Sequence, residues 1–208
     1  MPAEVEIPNV ARLTQWRPGD ALQLQKVLNA PGVMPEGASP LTVEDCVERV
    51  KEYANGWERD GVGRWAVRSA DDRELYGYMG LKPATYIGRP DDFEVGVRLS
   101  PAAQRLRLAS QILPHCHERA FEEVGIDRIL GFCAPGLYGW ESTGASRVPS
   151  MLRLYHSRGR IEVEGEELEL FELTKDRYLD HLAGRPVEPS ILPTPPGGEM
   201  GRSAGAEL

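Results

Sequence analysis

The stretch that decides the fold is residues 93–109, "FEVGVRLSPAAQRLRLA". Apolar and polar residues alternate up to Ser100, which predicts a β-strand, and a long helical pattern follows. A strand that leads into a helix is a natural anion site, because a helix N-terminus offers unpaired N–H groups and the positive end of a dipole. Turns that bind phosphate usually contain glycine, whereas "QRLRLA" (residues 104–109) contains two arginines. Whether this turn binds a phosphate therefore decides much of the function.

Strands on both sides of this stretch predict a mixed sheet. Residues 64–70 and 74–84 alternate around a polar turn and predict a hairpin, which the strand at residues 93–100 extends into an antiparallel meander. Beyond it, a helix to about Val124 leads into the apolar strand at residues 127–134. A strand, a helix and a strand of this length predict a right-handed crossover between parallel strands.

Further elements complete an α+β pattern. Thr42 and Asp45 have the spacing of a capping box, which predicts a helix to about Arg59. The other predicted elements are a short strand after Ala11, a helix at residues 21–29 with Asp20 as N-cap, a helix at residues 149–159, a hairpin of "RIEVE" and "ELELFEL", and a helix at residues 175–182. We therefore expect a central, mostly antiparallel sheet flanked by helices.

Length and composition favour one soluble domain. The 208 residues carry 24 Lys and Arg against 32 Asp and Glu, a formal charge of -8. This balance argues against a nucleic-acid interface and favours amine partners. No apolar run is long enough for a membrane span, and the N-terminus lacks a signal-peptide pattern, so we expect a cytoplasmic protein. We predict an N-terminal extension (1–10), a domain (11–183) and a disordered, Pro/Gly-rich tail (184–208).

The cysteines and histidines predict no metal site. Cys46, Cys116 and Cys133 form no CxxC motif and are expected to be reduced, partly buried thiols. His115 and His117 are two residues apart, a spacing that points side chains to different faces of a helix.

Several short motifs, taken in order, resemble the GCN5-related N-acetyltransferases (the GNAT superfamily), and within it the branch that acetylates ribosomal-protein N-termini. The motifs run from Arg12 to about Thr174 and are "RLTQWRPGDA", "GRWAVRSADDRELYGYMGL", "EVGVRLSP", "AFEEVGIDRILGFCAP" and "LYHSRGRIEVEGEELELFEL". Each is short, and their order and spacing carry the resemblance. It implies a single GNAT-like domain with a V-shaped gap between the fourth and fifth predicted strands, residues 93–100 and 127–134.

The resemblance also implies roles for particular residues. Acetyl-CoA or another acyl-CoA would lie in the gap, where a substrate amine attacks the thioester directly. Glu94 would be the base, although strand alternation alone also allows an exposed carboxylate. Tyr155 would protonate the departing thiolate, or it is a core tyrosine on its helix. The implied cofactor contacts are Val95, Val97, Gln104, Arg105, Arg107, Ala109 and Ser150.

The pyrophosphate loop departs from the family pattern Q/R-x-x-G-x-G/A. Gln104 and Ala109 match it, but Arg107 replaces its glycine and Arg105 replaces a second glycine of the resembled branch. Either the two guanidinium groups bind the diphosphate, or the side chains fill the space that it needs. Arg147, which replaces a family asparagine, and Arg153 add positive charge near the expected cofactor entry.

Two functions follow from these alternatives. The first is an N-acyltransferase that transfers an acetyl or short acyl group to a primary amine of a small molecule or a protein N-terminus, with a homodimer as a possible assembly in this family. The second is a catalytically inactive GNAT-fold binding or regulatory module. In the long loop at residues 135–148, Tyr138, Trp140 and Glu141 suit a cationic acceptor, or they only pack the loop.

Overall fold

The computed structural model describes residues 4–34, 37–133, 154–163 and 165–187. One open sheet contains the strands β1 (Val5–Ile7), β2 (Ala11–Thr14), β3 (Arg64–Ser69), β4 (Leu75–Ala84), β5 (Arg89–Leu99), β6 (Arg128–Cys133), β7 (His156–Val163) and β8 (Glu166–Thr174). Their order is β1-β2-β3-β4-β5-β6-β8-β7. Only β5 and β6 are parallel among these pairs. The predicted α+β class and mixed sheet are confirmed.

Five α-helices flank the sheet in the described part of the chain: α1 (Ala21–Leu28), α2 (Val43–Asp60), α3 (Pro101–Arg105), α4 (Leu108–Glu118) and α5 (Lys175–Leu182). A π-helical turn, Arg119–Val124, extends α4. The predicted capping box is present, because Thr42 Oγ1 accepts the Asp45 N–H and the Asp45 carboxylate accepts the Thr42 N–H. None of these helices has both the length and the apolar character that a membrane crossing needs.

Two helical layers cover opposite faces of the sheet. One apolar cluster joins α1 and α2 to the sheet through residues that include Leu24, Val50, Tyr53, Ala66 and Tyr78. A larger cluster on the other face joins α4 to the sheet through residues that include Met79, Val95, Leu99, Leu108 and Ile112. Because successive side chains of a strand point to opposite faces, this division tells which face residues 78–82 of β4 and residues 93–99 of β5 occupy.

The long helix predicted after Ser100 is interrupted. It divides into α3 and α4, and Arg107 between them has φ 54° and ψ 35°. A left-handed residue cannot continue a right-handed helix, so the interruption lies at Arg107, whereas α4 continues through Pro114.

Asp20 does not cap α1 as predicted. Its Oδ2 instead accepts the Arg17 N–H at 2.7 Å and pairs with Arg68 Nη2 at 2.5 Å. The Arg68 side chain is only 2% exposed, and a buried cation requires a charged partner. The Asp20 carboxylate, which the local sequence pattern assigned to helix capping, therefore forms an ion pair with Arg68, a residue distant in the sequence.

The helix predicted at residues 149–159 is wrong over its C-terminal part. Tyr155 is not helical, and β7 begins at His156, which pairs with Glu172 of β8. Pairing with a buried strand supplies backbone hydrogen bonds along the whole segment, which outweighs its helical apolar spacing. Residues 149–153 and most of the predicted disordered tail lie outside the described residues. The sequence also missed β1, which pairs with β2 at the sheet edge.

Candidate active site

The parallel strands β5 and β6 separate within the sheet. They pair at Phe93 with Ile129 and at Glu94 with Leu130, and no later pair joins them in the described residues, although β5 continues to Leu99. Strands that diverge leave backbone N–H and C=O groups without ladder partners. The structure therefore contains the V-shaped gap that the family resemblance implied, with Glu94 at its closed end.

Glu94 is held at this position by three neighbours. Tyr86 Oη donates a hydrogen bond to Glu94 Oε2 at 2.6 Å, and Lys82 Nζ lies 3.3 Å from the same oxygen. Arg64 Nη2 lies 4.0 Å from Oε1. The Glu94 side chain is only 14% exposed, so it is not the solvent-exposed strand carboxylate that alternation alone allowed. Its role as a base stays a prediction.

Arg64 shows which face of the sheet carries this carboxylate. Its guanidinium lies 5.1 Å from the centre of the Tyr53 ring and 4.9 Å from that of Tyr78, both in the cluster formed with α1 and α2. A Cβ atom at Gly96 would lie 2.7 Å from Arg64 Nη2, so the glycine provides the space in which the guanidinium lies. Glu94 and Gly96 therefore face α1 and α2.

The sequence did not identify Lys82, Tyr86 or Arg64 as neighbours of Glu94. Lys82 lies directly opposite Glu94 in the β4–β5 pairing. That register is the signal that would have revealed it, but the loop predicted at residues 85–92 does not by itself fix how the two strands pair. Val95 and Val97 pack towards the cluster that contains α4, so their side chains lie on the opposite face of β5 from that of Glu94.

The predicted pyrophosphate turn keeps a left-handed residue where a glycine was expected. Arg107 adopts φ 54°, which costs a non-glycine residue about 1 kcal/mol. Arg105 and Arg107 are exposed, and neither forms an ion pair within the described ranges. Gln104 Nε2 donates to the Leu99 carbonyl at 2.8 Å, and Ala109 lies in the first turn of α4. The α4 N-terminus and two exposed cations therefore lie side by side.

Tyr155 is fully buried and lies outside any helix. Its Oη is 3.0 Å from His117 Nε2. Burial raises the pKa of Tyr155 well above its usual value and lowers the pKa of His117 to about 4, and His181 adds to the lowering. The phenol is therefore protonated, but its surroundings are those of a core tyrosine. Its role as a proton donor stays a prediction.

His117 makes the stability of the fold depend on pH. In the unfolded chain it takes up a proton near pH 6.5, whereas in the folded chain it stays neutral down to about pH 4. Its contribution to stability is therefore lost as the pH falls from 6.5 towards 4. We expect the free energies of unfolding of wild type and His117→Gln, measured in urea, to converge by about 2 kcal/mol between pH 7 and pH 5.

The control for this measurement is Tyr155→Phe, which removes the same hydrogen bond but keeps the imidazole. We expect this variant to retain the wild-type dependence on pH. If the free energies of unfolding of wild type and His117→Gln changed in parallel with pH, the lowered pKa of His117 would be contradicted.

The remaining predicted site residues lie outside the described part of the chain. They are the loop residues Tyr138, Trp140 and Glu141, and the cofactor-side residues Arg147, Ser150 and Arg153. The described residues contain no cluster of His, Cys, Asp and Glu suited to a metal ion. Cys46, Cys116 and Cys133 are buried free thiols.

A family model described as "Acetyltransferase (GNAT) domain" matches residues 11–136. The chain belongs to the GNAT acetyltransferase family. The match covers the predicted hairpin, the strand with Glu94, the arginine-containing turn and β6. It confirms the family named from the sequence motifs.

Solved GNAT structures share the fold at low sequence identity. A ribosomal-protein-S5-alanine acetyltransferase from Vibrio fischeri has a TM-score of 0.62 at 12% identity, with 84% of this chain and 98% of that chain covered. An acetyltransferase (GNAT family) from Bacillus anthracis has 0.60 at 15%, covering 84% and 99%. A spermidine N-acetyltransferase chimera from Vibrio cholerae and hSSAT has 0.58 at 15%, covering 82% and 98%. No curated protein matches the chain. These likenesses show the fold, not the acceptor.

Proposed function

We propose that this GNAT protein is a cytoplasmic N-acetyltransferase that transfers an acetyl or short acyl group from acyl-CoA to a primary amine of a small molecule or a protein N-terminus. The observation that carries the proposal is the position of Glu94. Its carboxylate is held where β5 and β6 separate, beside β5 residues that pair with β4 but not with β6 in the described part of the chain. A proton acceptor therefore lies next to the gap in which the acyl-CoA chain and its thioester would bind.

Glu94 would act on the incoming amine. A primary amine is mostly protonated at neutral pH and becomes a nucleophile only after losing a proton. The carboxylate takes that proton directly or through one water. The amine nitrogen then forms a bond to the thioester carbonyl carbon, the C–S bond breaks, and the nitrogen loses its second proton to solvent to give the neutral amide. The thiolate is protonated by Tyr155 or by water, after which Tyr155 regains a proton from solvent and Glu94 releases its own. Backbone N–H groups at Val95 and Val97 would stabilise the oxyanion.

The turn at residues 104–109 would bind the diphosphate of the acyl-CoA. Arg105 and Arg107 are exposed beside the N-terminus of α4, where two cations and a helix dipole favour the same anion. Their exposure supports the ligand alternative over the obstruction alternative, because neither side chain is packed into the interior. Gln104, Ala109 and Ser150 would complete the cofactor contacts.

The acceptor would approach from the face that carries α1 and α2. Glu94 lies on that face together with the exposed ring of Tyr86, and an aromatic face beside a carboxylate suits an ammonium group. Tyr138, Trp140 and Glu141 would add further contacts to a cationic acceptor. The solved neighbours include one named a spermidine N-acetyltransferase and one named a ribosomal-protein-S5-alanine acetyltransferase, so spermidine and an alanine N-terminal peptide are the first assay substrates.

Calorimetric titration with acetyl-CoA tests the cofactor part of the proposal. We expect wild type to bind in the micromolar range and Arg107→Ala to bind about 10-fold more weakly, because a charge-assisted hydrogen bond is lost. Arg59→Ala is the control, since Arg59 is an exposed arginine at the end of α2 that pairs with Asp60. We expect it to bind like wild type.

The double variant Arg105→Gly with Arg107→Gly separates the two interpretations of the turn. We expect it to bind more weakly than wild type if the arginines are ligands. Tighter binding by this variant, or no binding of acetyl-CoA by wild type, would overturn the proposed cofactor site and favour the inactive module.

A further inference from the structure

We propose that the chain acetylates its own Lys82, so that Lys82 Nζ is an acceptor amine built into the active site. This inference rests on the proposed function, because acetyl-CoA must enter the gap between β5 and β6. The structure contributes the position of the amine. Lys82 Nζ lies 3.3 Å from Glu94 Oε2 and 4.1 Å from the centre of the Tyr86 ring.

The sheet register brings Lys82 to the closed end of the gap. Lys82 pairs with Glu94 across β4 and β5, and Glu94 pairs with Leu130 across β5 and β6. These three residues form one row across the sheet, and their side chains point to the same face. The pair of Glu94 and Leu130 is the last before the two strands separate in the described residues. An amine on this row is therefore one strand away from the slot proposed for the thioester.

The surroundings of Lys82 are those expected for an acceptor amine. A carboxylate beside Nζ can receive its proton, and an aromatic face positions the ammonium before that transfer. The Lys82 side chain is 35% exposed, which leaves the amine accessible. Because the amine and the base belong to the same folded chain, the reaction has the advantage of an intramolecular step.

The other lysines provide internal controls. The chain contains four lysines, Lys26, Lys51, Lys82 and Lys175. Lys26 and Lys51 are exposed, and Lys51 pairs with Glu48 on α2. Uncatalysed acetylation by acetyl-CoA in solution favours the most exposed amines, whereas catalysis at the proposed site favours Lys82. Uncatalysed and catalysed acetylation are therefore expected to modify different lysines.

The reaction balances without another reactant. Glu94 takes one proton from the Lys82 ammonium, and Nζ attacks the carbonyl carbon of the acetyl thioester. The C–S bond breaks and the nitrogen loses its second proton, so that one of the two protons ends on the coenzyme A thiolate and the other in solvent, and the Glu94 carboxylate is restored. The product amide is neutral, so acetylation removes the ion pair with Glu94 and the cation–π contact with Tyr86.

Mass spectrometry of the full chain tests this inference. Purified protein is incubated with acetyl-CoA that carries a ¹³C-labelled acetyl group, and the label is located by peptide mapping. We expect label at Lys82 ahead of the other three lysines, at a rate per chain that does not change on dilution. Glu94→Gln should slow labelling of Lys82 about 100-fold. Lys82→Arg should remove the label, and Lys51→Arg should leave the labelling of Lys82 unchanged.

Three results would overturn the inference: label mainly on Lys26 and Lys51, equal labelling of Lys82 in wild type and Glu94→Gln, or a rate per chain that rises with protein concentration. The same preparation is titrated with acetyl-CoA and assayed with spermidine and with an alanine N-terminal peptide. Transfer to either probe while Lys82 stays unlabelled overturns this inference alone. Absence of acetyl-CoA binding overturns the proposed function and this inference together.

Discussion

Glu94→Gln is expected to lower the rate of acetyl transfer to an added amine about 1000-fold. The substitution keeps the size and shape of the side chain but removes the proton acceptor. A loss of this size corresponds to about 4 kcal/mol of transition-state stabilisation, within the range of general base catalysis. The measurement is release of free coenzyme A at saturating acetyl-CoA and acceptor. Calorimetry on the same variant should show unchanged acetyl-CoA binding, because Glu94 lies apart from the arginine-containing turn.

Asp91→Asn is the matched control for Glu94→Gln. Asp91 is an exposed carboxylate on the same strand, β5, and its removal changes the net charge of the protein by the same amount. We expect it to retain the wild-type rate. If Glu94→Gln also retained that rate, the base would have to be another group or water, and Glu94 would be a structural partner of Lys82 and Tyr86.

Gly77→Ala is expected to lower the free energy of unfolding by at least about 4 kcal/mol. Gly77 has φ 133°, a conformation that side-chain-bearing residues rarely adopt. A Cβ atom there would lie 2.1 Å from the Arg98 carbonyl oxygen on β5. Because both atoms belong to paired backbone of the central sheet, neither can move without breaking the β4–β5 ladder. Urea unfolding followed by circular dichroism measures the loss.

Gly56→Ala is the control for Gly77→Ala, and we expect it to raise the free energy of unfolding rather than lower it. Gly56 lies within α2, and nothing lies within 4 Å of the Cβ position. Alanine favours the helix by about 1 kcal/mol over glycine, so we expect a small gain in stability. If Gly77→Ala were as stable as wild type, this result would contradict the close approach of the β4 and β5 backbones at Gly77.

Much of the fold followed from local sequence patterns. The Thr42 capping box, the hairpin of β3 and β4 and the crossover from β5 to β6 were predicted from residues close together in the chain, and the structure contains all three. The elements that were mispredicted depend on distant partners. Asp20 pairs with Arg68 instead of capping α1, and the segment from His156 pairs with β8 instead of forming a helix.

The site was predictable only in part. The family resemblance supplied Glu94 and the turn with Arg105 and Arg107, because these residues lie within short motifs. It did not supply Lys82 or Tyr86, whose contacts with Glu94 require the register of β4 against β5 and the path of the chain between them. Family motifs report individual positions, whereas the neighbours of a side chain are set by how the strands pair.

The sequence by itself determined where the chain is extended or helical and which family it joins, because alternation, capping and short motifs act over a few residues. Only the tertiary structure decided that Arg107 adopts a left-handed conformation, that Tyr155 is buried against His117, and that Lys82 lies beside Glu94. The contacts of Tyr155 and Lys82 depend on which distant groups share a space that holds little water. There, unpaired charges and polar groups are costly, so each side chain is held by the partners that packing brings to it.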